Sequence, residues 1–343
     1  MSWKATAARM INAALRRYDI RVVRGVDLWH PSTQLGSQPE PQARKSAQQR
    51  SLPFFKSYVG ESVGELQTTF DFTVIMPSIL RPTVVDAIES VFAQDLRGRV
   101  QLLIGVDAPL GDVDVIDRVC RKIPPHHAVQ VLYPGYSTSR RHGGLHPEWS
   151  GGALRTIVCY LANSRYIAYL DDDNWYASHH LSSLHEALQG HDWAYSLRWY
   201  VHPESRRPIC EDRWESIGPV PTAVDAGGWI DPNCLAFDKL ACEAMLRWWC
   251  IPQRNSPNAT DSDRNVFRIL TTEFHGRGTN NATVFYALTE SDRHRHPFRL
   301  EMIGAARYAA SAGVVEDSSD GPDPRKLAKR SVMVRNRSRT ALR

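Results

Sequence analysis

Between residues 72 and 170, short apolar runs alternate with segments of helical spacing, and this alternation constrains the fold more than any other feature of the chain. Residues 72–76 read as a strand stopped by Pro77, and 100–106, 129–132 and 166–170 as three more. Between them, residues 83–94 carry Val84, Ala87, Ile88 and Val91 at helical intervals, while 112–121 and 153–162 read as further helices. β-Prone runs bounded by turn residues bury as strands, whereas apolar residues three and four apart share one helix face. Strands separated by helices pair through crossovers, which sets them parallel. The expected fold class is α/β, with a mostly parallel central sheet and helices on both faces. Beyond residue 177 the rhythm changes. Helices are expected at 177–189, 238–248 and 262–273 and a strand at 282–288, with loops rich in Pro and Gly between the aromatic segment 193–195 and residue 233.

The ends of the chain differ in character. Residues 3–24 read as a basic helix, with Ala8, Ile11, Leu15 and Tyr18 near one face and Arg9, Arg16 and Arg17 elsewhere. Docking on a membrane surface and docking on its own domain both suit such a helix. Residues 31–50, rich in Pro, Ser, Gln and Gly, read as linker. The expected division is an N-terminal extension at 1–70, a central domain at 71–312 and a disordered basic tail at 313–343. The first eighteen residues and residues 325–343 are basic and contain no acid, which suits contact with an anionic membrane surface or a solvated tail. Hydrophobic residues make up 42% of the 343, enough for a real core. No apolar run approaches the roughly 18–20 residues that cross a bilayer, and the N-terminus lacks the apolar block of a signal peptide. Six cysteines are scattered without a CxxC pair. They are expected to pack as small hydrophobes in a reducing cytoplasmic setting, with a peripheral position at the inner face of the membrane left open.

The fourth strand runs directly into Asp171-Asp172-Asp173. Open α/β sheets bind ligands at the carboxyl ends of their strands, and three adjacent carboxylates repel one another unless a cation joins them. In extended backbone Asp171 and Asp173 share one face, placed to hold a divalent metal, and Asp172 points the other way. A solvated acidic turn is the plainer reading. Asp107 closes the second strand, where a carboxylate accepts hydrogen bonds from a base or ribose, or else caps a helix. Gly151-Gly152 opens the helix that contains Arg155, letting backbone approach a phosphate beside a cation, and is also ordinary turn chemistry.

The segments Thr73-Val74-Ile75-Met76-Pro77-Ser78 and Ala87-Ile88-Glu89-Ser90-Val91-Phe92-Ala93-Gln94, followed by the strand ends at Asp107 and Asp171–Asp173, resemble glycosyltransferase family 2 over roughly residues 72–290. The resemblance implies a GT-A fold, a nucleoside-diphosphate sugar donor, Mg²⁺ or Mn²⁺, and transfer to a hydroxyl acceptor, glycan or lipid-linked, with inversion. It implies that Pro77, Ser78, Arg81, Asp107, Arg155, Asp171 and Asp172 bind the nucleotide sugar and that Asp171 and Asp173 hold the metal. The family's late acidic base matches Asp263 best, with Ser262 where an acid is usual and Asp261 as competitor; both aspartates also suit a helix cap. Asp225 and Trp229 resemble an acceptor-side segment, and Trp229 suits either a sugar face or a core. Trp175 has the same two readings. His275, His294 and His296 are third-ligand or phosphate candidates, or solvated. Asp107 is followed by Pro109 where the family commonly has a second acid and Gly-Ser. Other functions fit less well: a haloacid-dehalogenase-type phosphatase wants its nucleophilic aspartates after the first strand, whereas these follow the fourth. Nucleotidyl transfer wants a Gly-rich basic loop after the first strand, and Pro77–Pro82 is not one. A non-catalytic membrane-surface protein would rest on the basic ends alone. No nucleic-acid partner is expected, because an acid-rich crevice repels a polyanion.

Overall fold

Strand β1 (Phe55–Val59) is followed by the four strands of the alternation: β2 (Phe70–Ser78), β3 (Val100–Val106), β4 (His127–Leu132) and β5 (Ser164–Tyr169). The computed structural model of the chain describes residues 53–147, 151–216, 229–252, 262–289 and 297–312. All of these lie in the unit spanning Leu52–Arg343. The expected basic helix, linker and tail, together with Asp225, Asp261, His294 and His296, fall outside the described residues. β4, β3, β2 and β5 pair in that order, each parallel to the next. Every residue of β3 is buried, so both faces of this block are covered.

The covering helices follow from spacing. In α1 (Val84–Phe92) the buried residues include Val84, Ala87, Ile88 and Val91. α2 (Val115–Cys120) follows β3, and α3 (Gly152–Leu161) crosses β2 and β3, where a Cβ on Gly105 would lie 3.1 Å from Val158. Gln94, from the segment that carries the family resemblance, has a structural task just beyond α1. Its amide donates to the carbonyls of Ser90 and Ala177 and accepts from the N–H of Leu181.

Beyond β5 come β6 (Trp175–Tyr176), α4 (His180–Ala187), β7 (Trp193–Val201), β8 (Pro208–Glu211), β9 (Leu235–Asp238), α5 (Ser262–Glu273), β10 (Gly276–Ala287), α6 (Pro297–Ile303) and α7 (Ala305–Ala312). The ten strands form one sheet in the order β1-β4-β3-β2-β5-β9-β7-β10-β6, with β8 on β7. β9 is antiparallel to both β5 and β7, and β10 runs parallel to β7. The architecture is thus α/β, with a parallel block extended by mixed pairing.

Three segments differ from expectation. Residues 53–70, assigned to the extension, supply edge strand β1, while Val63 and Phe70 pack on Ala128. β1 buries no residue, so hydrophobic periodicity gave no signal for it. The region after residue 195 continues as a nine-residue strand, β7, rather than a loop. The helix expected at 238–248 is replaced by β9 and a 3₁₀ segment at Glu243–Cys250. Leu235–Asp238 is drawn into the sheet between two strands, and the Asp238 carboxylate then accepts the N–H groups of Leu240 and Ala241, holding a turn where a helix would begin. Cys120, Cys159, Cys234 and Cys242 are buried, consistent with packing as hydrophobes.

Candidate active site

At the carboxyl ends of β2, β3 and β5 the sheet opens into a cavity of about 630 Å³. Its wall includes Pro77, Ser78 and Arg81 after β2, Asp107 after β3, and Asp171, Asp172 and Asp173 after β5. Gly151, at the N-terminus of α3, and Arg155 one turn later also line it. Gly151 has φ +77°, and a Cβ there would lie 3.3 Å from Pro77, so the position favours glycine twice over. Trp229, Trp249, Asp263 and Arg264 complete part of the far side.

The aspartate triplet is a turn rather than extended backbone, with the N–H of Asn174 donating to the carbonyl of Asp171 at 3.2 Å. Its members have separate employment. Asp172 is wholly buried and accepts from the Ser78 hydroxyl (2.6 Å), the Ile79 N–H (3.0 Å) and Arg81. The Thr83 hydroxyl donates to its carbonyl at 2.7 Å. Ser78 and Asp172, both expected at the nucleotide, therefore hold one another and bind the end of β2 to the loop after β5. Asp171 pairs with Arg155, and Asn233 donates to its other oxygen at 3.1 Å. Arg155, expected at a phosphate, is buried, with Trp249 5.4 Å from its guanidinium. Asp173 lies 3.6 Å from Arg81, and its side chain is 27% exposed. Burial opposes the charge on Arg81, but Asp173 and Asp172 more than restore it and raise its pKa.

Asp107 is also anchored. The Ser137 hydroxyl lies 2.9 Å from both carboxylate oxygens, and the Thr138 N–H lies 3.3 Å from one. The same loop brings Arg141 and His142 to the cavity. Burial lowers the pKa of His142, Asp107 opposes that shift, and Arg141 and Arg81 add to it. Asp263, in the first turn of α5, lines the cavity while one oxygen accepts the N–H of Arg264. Trp229 is 7% exposed, with the guanidiniums of Arg264 and Arg198 5.5 and 5.6 Å from its ring. Trp175 is a core residue stacked on Phe285 and does not line the cavity. His275 lies exposed just beyond the end of α5 and is likewise absent from the wall.

A buried charge cluster behind the cavity escaped the sequence reading. Arg198 on β7 is fully buried and pairs with Asp212 (2.8 Å), Glu215 (3.0 Å) and Asp231. Glu215 also takes two bonds from Arg299, at 2.8 and 2.7 Å, and one from Tyr200. Burial raises the pKa of Glu215, but Arg198 and then Arg299 outweigh it and hold the carboxyl at about 2. Glu215 lines the cavity yet is a poor proton acceptor. One sequence signal for the cluster existed: a lone arginine inside the aromatic run Trp193–Val201 requires buried acids if that run is a strand.

Among the described residues, no three His, Cys, Asp or Glu side chains are grouped to hold a metal. Mg²⁺ commonly takes one or two carboxylates with ligand phosphates and water, and oxygen donors suit Mn²⁺ as well. The Asp173 and Asp171 carboxylates, 27% and 29% exposed at the cavity wall, supply such hard oxygens, so the donor set fits either ion.

No protein-family model matches the sequence, and no curated protein matches it. Among solved structures the chain is similar to S. aureus TarS 1-349 in complex with UDP, at 10% identity and a TM-score of 0.47, over 66% of this chain and 62% of that one. It thus spans less than two thirds of that protein's length. It is also similar to the mannosyltransferase PcManGT from Pyrobaculum calidifontis in complex with GDP-Man and Mn²⁺, at 13% identity and a TM-score of 0.45, over 83% and 74% of the two chains.

Proposed function

We propose that the chain is a GT-A-type glycosyltransferase that moves a sugar from a nucleoside-diphosphate donor to a hydroxyl of a glycan or lipid-linked acceptor. One observation carries this reading: Asp107, Asp173 and Asp263 meet the cations Arg81, Arg141 and Arg264 in a single cavity at the carboxyl ends of parallel strands. Asp107, held by Ser137, presents its remaining lone pairs to ribose or base. Arg81 and Arg141 attract the diphosphate, since guanidinium forks match phosphate oxygens. Asp173, with Asp171 beside it, would hold a divalent cation, which would supply a Lewis acid to offset charge on the departing diphosphate. Asp263 takes the acceptor's proton as its oxygen bonds to the anomeric carbon, and the nucleoside diphosphate leaves from the opposite side with the bonding pair. That geometry inverts the anomeric centre.

The roles of Asp173 and Asp263 separate in one pair of variants. Asp263→Asn is expected to lower transfer about 10²–10⁴-fold while Mn²⁺-dependent donor binding in calorimetry is retained. Asp173→Ala is expected to remove the Mn²⁺-dependent part of binding. An Asp263→Asn enzyme that turns over normally, or metal-dependent binding that survives in Asp173→Ala, contradicts the assignment.

A further inference from the structure

Asn233 is fully buried, and every polar atom of its amide has a partner. Its Oδ1 accepts the Asp171 N–H at 2.6 Å. Its Nδ2 donates to Asp171 Oδ2 at 3.1 Å and to Asp231 Oδ1 at 2.6 Å. Only one orientation of the amide satisfies these three contacts, because both carboxylates need the donor end. Asp231 is anchored in turn, with one oxygen on Arg198 and its N–H on the Ser216 hydroxyl at 2.7 Å. Arg198 is fixed again by Asp212 and Glu215. A continuous chain of hydrogen bonds therefore runs from a fully buried arginine to the first aspartate of the cavity triplet.

We propose that Asn233 is a positioning residue that sets the orientation of Asp171 toward a cation-bound nucleoside diphosphate, with the Arg198 cluster as its rigid mount. The inference rests on the glycosyl-transfer reading. Asp171 already shares one oxygen with Arg155, so its remaining lone pairs reach the cavity only in the direction the other contacts allow. Asn233 holds the backbone and the second oxygen of Asp171 together and thereby fixes that direction. Removing the amide frees the carboxylate to turn toward Arg155, away from a ligand cation. The nucleotide contacts at Asp107 and Arg81 do not pass through Asn233, so they persist.

The test uses Asn233→Ala in the full chain, with UDP and GDP as probes, titrated by calorimetry with and without Mn²⁺. Asn233→Ser, which keeps a hydroxyl acceptor, is measured alongside it. The expected result is a native circular dichroism spectrum, metal-free nucleotide affinity within about twofold of the wild type, and an Mn²⁺ half-saturation raised at least about tenfold. A role in packing alone would weaken both kinds of binding together or leave both unchanged, and either result overturns the proposal. If neither variant folds, Asn233 is structural and the proposal fails. If the wild-type chain binds neither nucleotide with Mn²⁺, the glycosyl-transfer reading itself fails and takes this one with it, a result distinct from a wild type that binds and a variant that does not differ.

Discussion

Adjacent residues in the triplet differ by what reaches them, not by type. Asp172 is closed off by Ser78, Ile79 and Arg81, whereas the Asp173 side chain stays partly open to the cavity. Glu215 makes the same point with a titratable readout. Its folded-state pKa lies below its unfolded one, so ionised Glu215 stabilises the fold fully above about pH 5 and loses that contribution as pH falls toward about 2. Glu215→Gln is expected to cost about 3 kcal/mol in urea unfolding at pH 7, with the gap narrowing below about pH 4.5. A gap that is constant from pH 7 to pH 3 would contradict the role of Arg198 and Arg299. At this scale the acids that close strands were legible in the sequence, because a carboxylate after an apolar run has few other places to lie. The partners of Arg198 were not legible. Asp212 and Glu215 share one segment, while Asp231, and Arg299 which pairs with Glu215, come from two others, and only the folded chain brings the three together.

Elements with a single dominant period were read from sequence to within a few residues. α1, α3 and α5 and strands β2 to β5 fall close to where spacing put them. β9 and the 3₁₀ segment after it were not, because Leu235–Asp238 is only four residues long and becomes a strand when β5 and β7 flank it, displacing the start of the helix expected at 238–248. The Gly151 start of α3 gives a test at this scale. Gly151→Ala forces a non-glycine residue to φ +77° and brings its Cβ to 3.3 Å from Pro77. The expected loss is about 1–2 kcal/mol in urea unfolding. Nucleotide binding is expected to weaken as well, because the start of α3 forms part of the cavity wall. An alanine variant as stable as the wild type would mean that this turn is not under the constraint described.

Across the whole molecule, the parallel block and its loops supply one side of the cavity, from Pro77 to the triplet, and the mixed extension supplies the other. The segment before β9 and α6 contribute Asp231 and Arg299 to the wall, α5 contributes Asp263, and Arg198 of β7 lies buried behind them. The first half was legible because a βαβ rhythm is local. In the second half the helices at 180–187 and 262–273 were legible, but the sheet order β9-β7-β10-β6 was not, since it follows from pairing between distant segments that leaves no period in the sequence. The net charge of +5 says little about the cavity, where both signs face one another. The central claim, that this cavity takes a nucleoside-diphosphate sugar, is tested most directly by the melting temperature of the wild-type chain. The measurement runs a panel of nucleoside diphosphates and their sugars with and without Mn²⁺. At about a hundred times its dissociation constant a cognate donor adds about 2.7 kcal/mol, a rise of several degrees. The account predicts such a rise for one nucleotide series, larger with Mn²⁺ than without it. No rise with any member of the panel, in either condition, would contradict it.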